Sequence, residues 1–286
     1  YKVTGVQTCA LPISVQAAHA RIADDVRRTP LWRLPGAALG LSVQEVWLKL
    51  EHLQVSGSFK ARGMFNRMRS QPIPAAGVII ASGGNAGIAV ACAAQSLGVP
   101  CEVYLPEVST PAKRARLAAL GATVVVHGAA YPEALAACLE RQAHTGALLM
   151  HAYDQFEVVA GAGTLAAEME QEAGLPDRIL VSVGGGGLIA GIAAWCESRT
   201  RVEAVEPELA PTLHAARAAG HPVDVSVGGV AADSLGARRI GELAWAISQS
   251  QVAASHVVSD DAIKRAQQRL WSQMRLAVEP DRKSTR

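Results

Sequence analysis

The sequence predicts an α/β fold of two domains, each an open, mostly parallel sheet with helices on both faces. Three observations carry that prediction. Short runs rich in Val and Ile alternate with segments of helical length along most of the chain. Two glycine-rich stretches, SGGNAG at 82–87 and GGGG at 184–187, fall where a strand gives way to a helix, which is where open α/β sheets place their sites. Half of the 286 residues are hydrophobic and only 4% are aromatic, so the core is built from Ala, Val, Leu and Ile.

The elements follow in order. Ser14 caps a helical pattern over 15–26. EVWLKLE, 45–51, alternates as a strand does. In VSGSFKARGMF, 55–65, a Ser-Gly-Ser turn passes into apolar periodicity, so Lys60 sits near a helix start. Strand 77–82 leads to helix 85–97, and strand 101–105 to helix 110–120 with Thr110 as cap and Pro111 in the first turn. Strand 122–127 leads to helix 131–142, strand 179–183 to helix 188–198, and strand 202–207 to helix 211–220. Strand 252–258 and helix 260–274, capped by Ser259, complete the series. SQPIPAAG, 70–77, is the best candidate for a crossing between domains. The division expected is 14–76 with 151–280 as a large domain and 77–150 as a small one.

A formal net charge of +2 with no basic run gives no electrostatic case for nucleic acid. The five cysteines are far apart with no C-x-x-C pair, so they read as small buried hydrophobes in a reducing compartment. No apolar run reaches the roughly 20 residues that cross a bilayer, and no signal peptide is visible, which makes the cytoplasm the expected location. The ends, 1–13 and 281–286, lack periodicity, resemble translated adapter sequence, and are set aside as non-native or disordered.

Gly184, Gly185, Gly186 and Gly187 open a helix, where successive backbone N–H groups and the helix dipole attract an anion. The stretch lacks the Lys-Ser/Thr of a nucleoside-triphosphate loop. Gly185, Gly187 and Ala190 also fit the dinucleotide pattern G-x-G-x-x-A, with Glu203 or Glu206 downstream for a ribose; alone, that motif is weak. In the second loop Ser82 can cap a helix, Asn85 adds an amide, and the N–H groups can hold a carboxylate. Lys60 at a helix start meets the positive end of the dipole and has Arg62 nearby. Both favour a neutral, nucleophilic amine able to form a Schiff base. An amine, a carboxylate loop and a phosphate cradle together suggest pyridoxal 5'-phosphate.

SGSFKARG, SGGNAG and VGGGGLIAGIAA, in that order, resemble the fold-type II pyridoxal-phosphate enzymes (tryptophan synthase beta subunit-like), and within them the serine/threonine dehydratases. RTPL, KLEHLQ, AGAGTLAAE, VEPE and LAVEP extend the resemblance over about 14–280. It implies that Lys60 forms the Schiff base and then acts as the base at the α-carbon. Phe59 would pack beside the cofactor ring, Asn85 would bond its hydroxyl, and Gly184–Gly187 would bind its phosphate. Ser82, Gly83, Gly84 and Ala86 would bound the substrate carboxylate. Gly236 would lie near the ring, and Glu279 near the substrate or ring edge. A small hydroxy-amino acid, L-serine and/or L-threonine, would lose its β-hydroxyl to give a 2-oxo acid and ammonia, in a homodimer.

Ala61 stands where related synthases carry Asp, and Gly83 where serine racemases carry a proton-donating serine. Ala61 thus points toward the dehydratases, and Gly83 disfavours racemisation and favours one-sided elimination. β-Replacement, racemisation or a decayed, non-catalytic relative are the alternatives. Glu206 is the first acid of a metal site in some relatives, but Thr212 replaces the second, so no metal is expected. The resemblance implies a further helix and strand after VEP, absent here, and therefore weaker cofactor retention.

Overall fold

The computed structural model describes residues 11–280. In chain order the elements are α1 (Leu11–Arg21), β1 (Leu31–Pro35), β2 (Glu45–Lys49), α2 (Lys60–Arg69), β3 (Val78–Ala81), α3 (Asn85–Leu97), β4 (Cys101–Leu105), α4 (Pro111–Ala119), β5 (Thr123–Val126), α5 (Tyr131–Thr145) and β6 (Leu148–Leu149). There follow α6 (Phe156–Ala173), β7 (Arg178–Ser182), α7 (Gly187–Cys196), β8 (Arg201–Pro207), α8 (Thr212–Ala219), α9 (Glu242–Gln251), β9 (Ala254–Val258) and α10 (Asp260–Met274).

Two parallel sheets form the frame, in the orders β5-β4-β3-β6 and β7-β8-β9; β1 and β2 make a separate antiparallel pair. In the four-stranded sheet the period-2 alternation sends Val78, Ile80, Val103 and Leu105 to a core shared with α2, α3 and α4. Ile79, Ala81 and Tyr104 go to the other face, against Cys138 of α5. Helices thus cover both faces, as parallel strands require. In the three-stranded sheet Val181, Val202 and Ala204 join the core with α1, α6, α7, α8 and α9. Leu180, on the opposite face, stays 51% exposed.

Helices α3 and α10 and strand β4 fall where the periodicity puts them. Thr110 and Ser259 accept from the N–H groups of Lys113 and Ala262, as capping residues do. Three expectations are corrected. Helix α1 begins at Leu11, so Ser14 lies inside it, and only 1–10 and 281–286 of the set-aside ends lie outside the described residues. Ser82 does not cap α3; the N-cap is Gly84, with no side-chain cap bond. Arg62 does not act on Lys60 as a free cation, for reasons given below.

The periodicity leaves out α6 and α9. Helix α6 contains Gly161 and Gly163, which weaken a helical signal. Its interior glycines have a packing reason. A Cβ at Gly161 would stand 2.5 Å from Arg62 O on α2, and one at Gly163 2.7 Å from Gly191 O on α7. Helix α9 takes its cap from far along the chain, because Asp154 accepts from the N–H groups of Glu242 and Leu243.

The four described cysteines are free, and burial pushes the thiols of Cys101 and Cys196 up to about 12 and that of Cys138 up to about 11, so all three are inert at neutral pH. Among the described residues no helix is long and apolar enough to cross a membrane.

Candidate active site

The starts of two helices, α6 and α7, and the side chain of Lys60 meet in one place. The glycine contacts of α2 with α6 (Gly63, Gly161) and of α6 with α7 (Gly163, Gly191) fall in the N-terminal half of each helix. Helices α6 and α7 run the same way, with Tyr153 against Gly187, Gly163 against Gly191 and Glu170 bonded to Trp195, so their first residues Phe156 and Gly187 lie together. Helix α2 crosses α6 in the opposite direction, with Asn66 and Arg67 at Glu157 and Arg62 at Thr164, and Lys60 reaches this end through its side chain.

Lys60 is half-buried, and its Nζ donates to the carbonyl of Ala152. The same Nζ lies 5.1 Å from the centroid of the Phe59 ring, which is itself buried in the core around α6 and α7. Arg62 points into a buried ion cluster. It donates to both oxygens of Glu51 at 2.8 and 2.9 Å and to Glu168 at 2.9 Å. Glu168 also accepts from Lys49 at 2.5 Å and from the Thr29 N–H at 3.0 Å. Two cations thus face two carboxylates, and the charge of Arg62 is spent there.

The glycine turn at 184–187 is fixed by its carbonyls. Gly184 O accepts from Thr212 Oγ1 at 2.5 Å, Gly185 O from the Gly241 N–H at 3.0 Å, and Gly186 O from the Ala190 N–H at 2.9 Å. Among the described residues no protein group accepts from the N–H groups of Gly184 to Gly187. Gly186 has φ +87°, a conformation that favours glycine. Tyr153 packs beneath the turn. A Cβ at Gly185 would stand 2.3 Å from its ring, and one at Gly187 2.8 Å from its carbonyl. Segment 152–153 therefore touches Lys60 through Ala152 and the glycine turn through Tyr153.

The other glycine loop is reached by two segments. Asn85 Nδ2 donates to Glu279 Oε2 at 3.0 Å, so these two expected residues are brought together. A Cβ at Gly84 would lie 3.8 Å from Asp233 O, and one at Gly184 3.1 Å from Leu235 Cα. Residues 233–235 thus run between the two glycine loops, with Gly236 next to them and Lys113 paired to Asp233. A Cβ at Gly83 would meet Leu105 Cδ2 at 2.8 Å and Ser109 Oγ at 3.8 Å. A Cβ at Gly87 would strike Ser82 O at 1.8 Å, so the Ser82 carbonyl lies over the first turn of α3. The Ala86 side chain is buried in the core, which leaves its backbone to face the loop.

His151, Ala152, Tyr153, Asp154 and Leu235 were not signalled by the sequence. HAYDQ carries no motif, and its importance comes from contacts with α2, α7 and α9. The dinucleotide alternative loses its acids. Glu203 binds Arg178, Arg201 and His256, and Glu206 accepts from Ser255 Oγ and from the N–H groups of Leu213 and His214. Burial raises the Glu206 carboxyl above its ordinary range, against the lowering effect of those donors. Among the described residues no group of three or more His, Cys, Asp or Glu is placed to hold a metal.

Comparison with known proteins extends the geometry. A family model described as "Pyridoxal-phosphate dependent enzyme" matches residues 22–282. The chain is 38% identical to an L-threonine ammonia-lyase of Geobacter sulfurreducens over 93% of its own length and 67% of that protein. It spans about half the length of several other curated relatives it matches. Among solved structures, a threonine deaminase from T.th. superposes with TM-score 0.87 at 34% identity, over 94% of this chain and 89% of that one. A maize serine racemase superposes with TM-score 0.88 at 30% identity, over 94% and 83%.

Proposed function

The chain belongs to the pyridoxal-phosphate dependent enzyme family, and on that premise we propose that it is an ammonia-lyase for L-serine and/or L-threonine, which converts them to 2-oxo acid and ammonia by β-elimination. One observation carries the reading: segment 152–153 touches both the amine of Lys60 and the turn Gly184–Gly187.

The residues fit the cofactor. A turn whose carbonyls are tied to the protein and whose N–H groups have no acceptor among the described residues suits a phosphate. Lys60 offers an amine for the aldehyde, and Asn85 an amide for the ring hydroxyl. Phe59 lines the same region, and Gly236 borders it beside Leu235. When bound, pyridoxal 5'-phosphate supplies an electron sink for the pair released at the substrate α-carbon. Lys60 Nζ takes the α-proton from that carbon. The backbone of Ser82, Gly83, Gly84 and Ala86 orients the substrate carboxylate at the start of α3. Glu279, 3.0 Å from Asn85, lies at the edge of this group.

Residues 77–150 form the smaller domain of the proposal, supported by the four-stranded sheet lying wholly within them. Met64, Phe65 and Met68 of α2 also pack into that sheet's core, so the boundary is a shared surface. A homodimer in the cytoplasm completes the reading. Racemisation is the second reading, favoured by the likeness to the maize enzyme. Gly83 opposes it because it has no hydroxyl to deliver a proton to the other face of the α-carbon.

The test is incubation with pyridoxal phosphate and L-threonine, L-serine or D-serine, with assay of 2-oxo acid and of serine chirality. Formation of 2-oxo acid from the L-amino acids is expected. Interconversion of serine enantiomers without 2-oxo acid would establish the racemase reading, and absence of any turnover a non-catalytic relative.

A further inference from the structure

The turn between β6 and α6 is held by one imidazole. His151 Nδ1 accepts from the Asp154 N–H at 2.9 Å and from the Tyr153 N–H at 3.3 Å. Two donors aimed at Nδ1 require a neutral ring with its proton on Nε2. The His151 N–H is itself anchored on Gln155 Oε1 at 2.9 Å, and Gln155 Nε2 on Leu149 O at 3.0 Å. The ring stands edge-on to Tyr153, with centroids 4.7 Å apart. Inside this turn lie the two groups that join the site: the Ala152 carbonyl that accepts from Lys60 and the Tyr153 ring beneath Gly185.

We propose that His151 is a positioning residue whose Nδ1 acceptor sets the 152–154 turn and so holds the Lys60 amine and the glycine turn in register. This rests on the reading of Lys60 and Gly184–Gly187 as the pyridoxal phosphate site. Protonation would turn Nδ1 from acceptor to donor and repel both N–H groups. The charged groups that act on the ring are Asp154 on the same turn and Lys60 on α2. Burial, reinforced by Lys60 and opposed by Asp154, keeps the imidazole neutral to a pH below its ordinary range of about 6.5.

Three variants separate this role from a general packing role. His151→Asn keeps an acceptor at the position of Nδ1, His151→Gln moves it one bond further, and His151→Ala removes it. Pyridoxal phosphate binding is titrated by absorbance across pH, with thermal unfolding of the cofactor-free proteins alongside. His151→Asn should bind within about threefold of the wild type, and the other two about tenfold or more weakly, since two partly buried N–H groups lose their acceptor. The acid-side loss of binding that belongs to His151 protonation should vanish in His151→Asn. Wild-type binding by His151→Ala, or binding by His151→Asn as weak as that of His151→Ala, would overturn the proposal. If the wild type itself fails to bind pyridoxal phosphate, the reading of the site is what fails. Labelling of Lys60 by trinitrobenzenesulfonate in the cofactor-free proteins then decides His151. Faster labelling in His151→Ala and His151→Gln than in the other two supports the role, and equal rates refute it.

Discussion

Gly186 shows how closely single residues are constrained at this site. Its φ of +87° is unfavourable for any side chain, and a Cβ there would lie 2.5 Å from Ala244 Cβ and from Ile240 Cδ1. Gly186→Ala should therefore cost about 2–4 kcal/mol, the sum of left-handed strain and overpacking, and should weaken pyridoxal phosphate binding. Urea denaturation and an absorbance titration check both. The sequence points to Lys60, Asn85 and the four glycines because an amine after a small-residue turn, and glycines between strand and helix, are local signals. It does not point to Tyr153 and His151, because each works through a neighbour distant in sequence. Arg62 misled for the same reason: its carboxylate partners, Glu51 and Glu168, are set by the packing of α2 on α6.

At the scale of elements, that ion cluster joins α2 to α6 and to the segment that carries Glu51. Burial alone would raise the Glu168 carboxyl, but Arg62 and then Lys49 outweigh it and hold it below the ordinary range. A carboxyl lowered in the folded state stabilises the fold above its unfolded value of about 4.3 and loses that contribution as pH falls further. Stability measured by denaturant should thus hold above about pH 5 and decline below about pH 4 in the wild type, with a shallower decline in Glu168→Gln. Arg62→Met leaves two buried carboxylates short of a partner and should cost about 3–5 kcal/mol. An unchanged denaturation midpoint would show that the cluster does not brace α2. The helices that alternate with strands were read from period alone, whereas α6 was hidden by the glycines that let α2 and α7 approach it.

For the molecule as a whole, the alternation of strand and helix conveyed two parallel sheets, and the structure adds how they meet. Helix α6 stands between α2 and α7, and residues 233–235 run from one glycine loop to the other. The sequence could not show this, since both arrangements depend on contacts between segments far apart along the chain. The proposed function stands on Lys60, whose amine reaches the segment beside the glycine turn, as the residue that carries pyridoxal phosphate. Reduction of the loaded protein with borohydride, followed by proteolysis and peptide mapping, tests it directly. A pyridoxyl group is expected on the peptide containing Lys60, and its loss in Lys60→Ala. Labelling at another lysine, or none in a protein that binds pyridoxal phosphate, would contradict it.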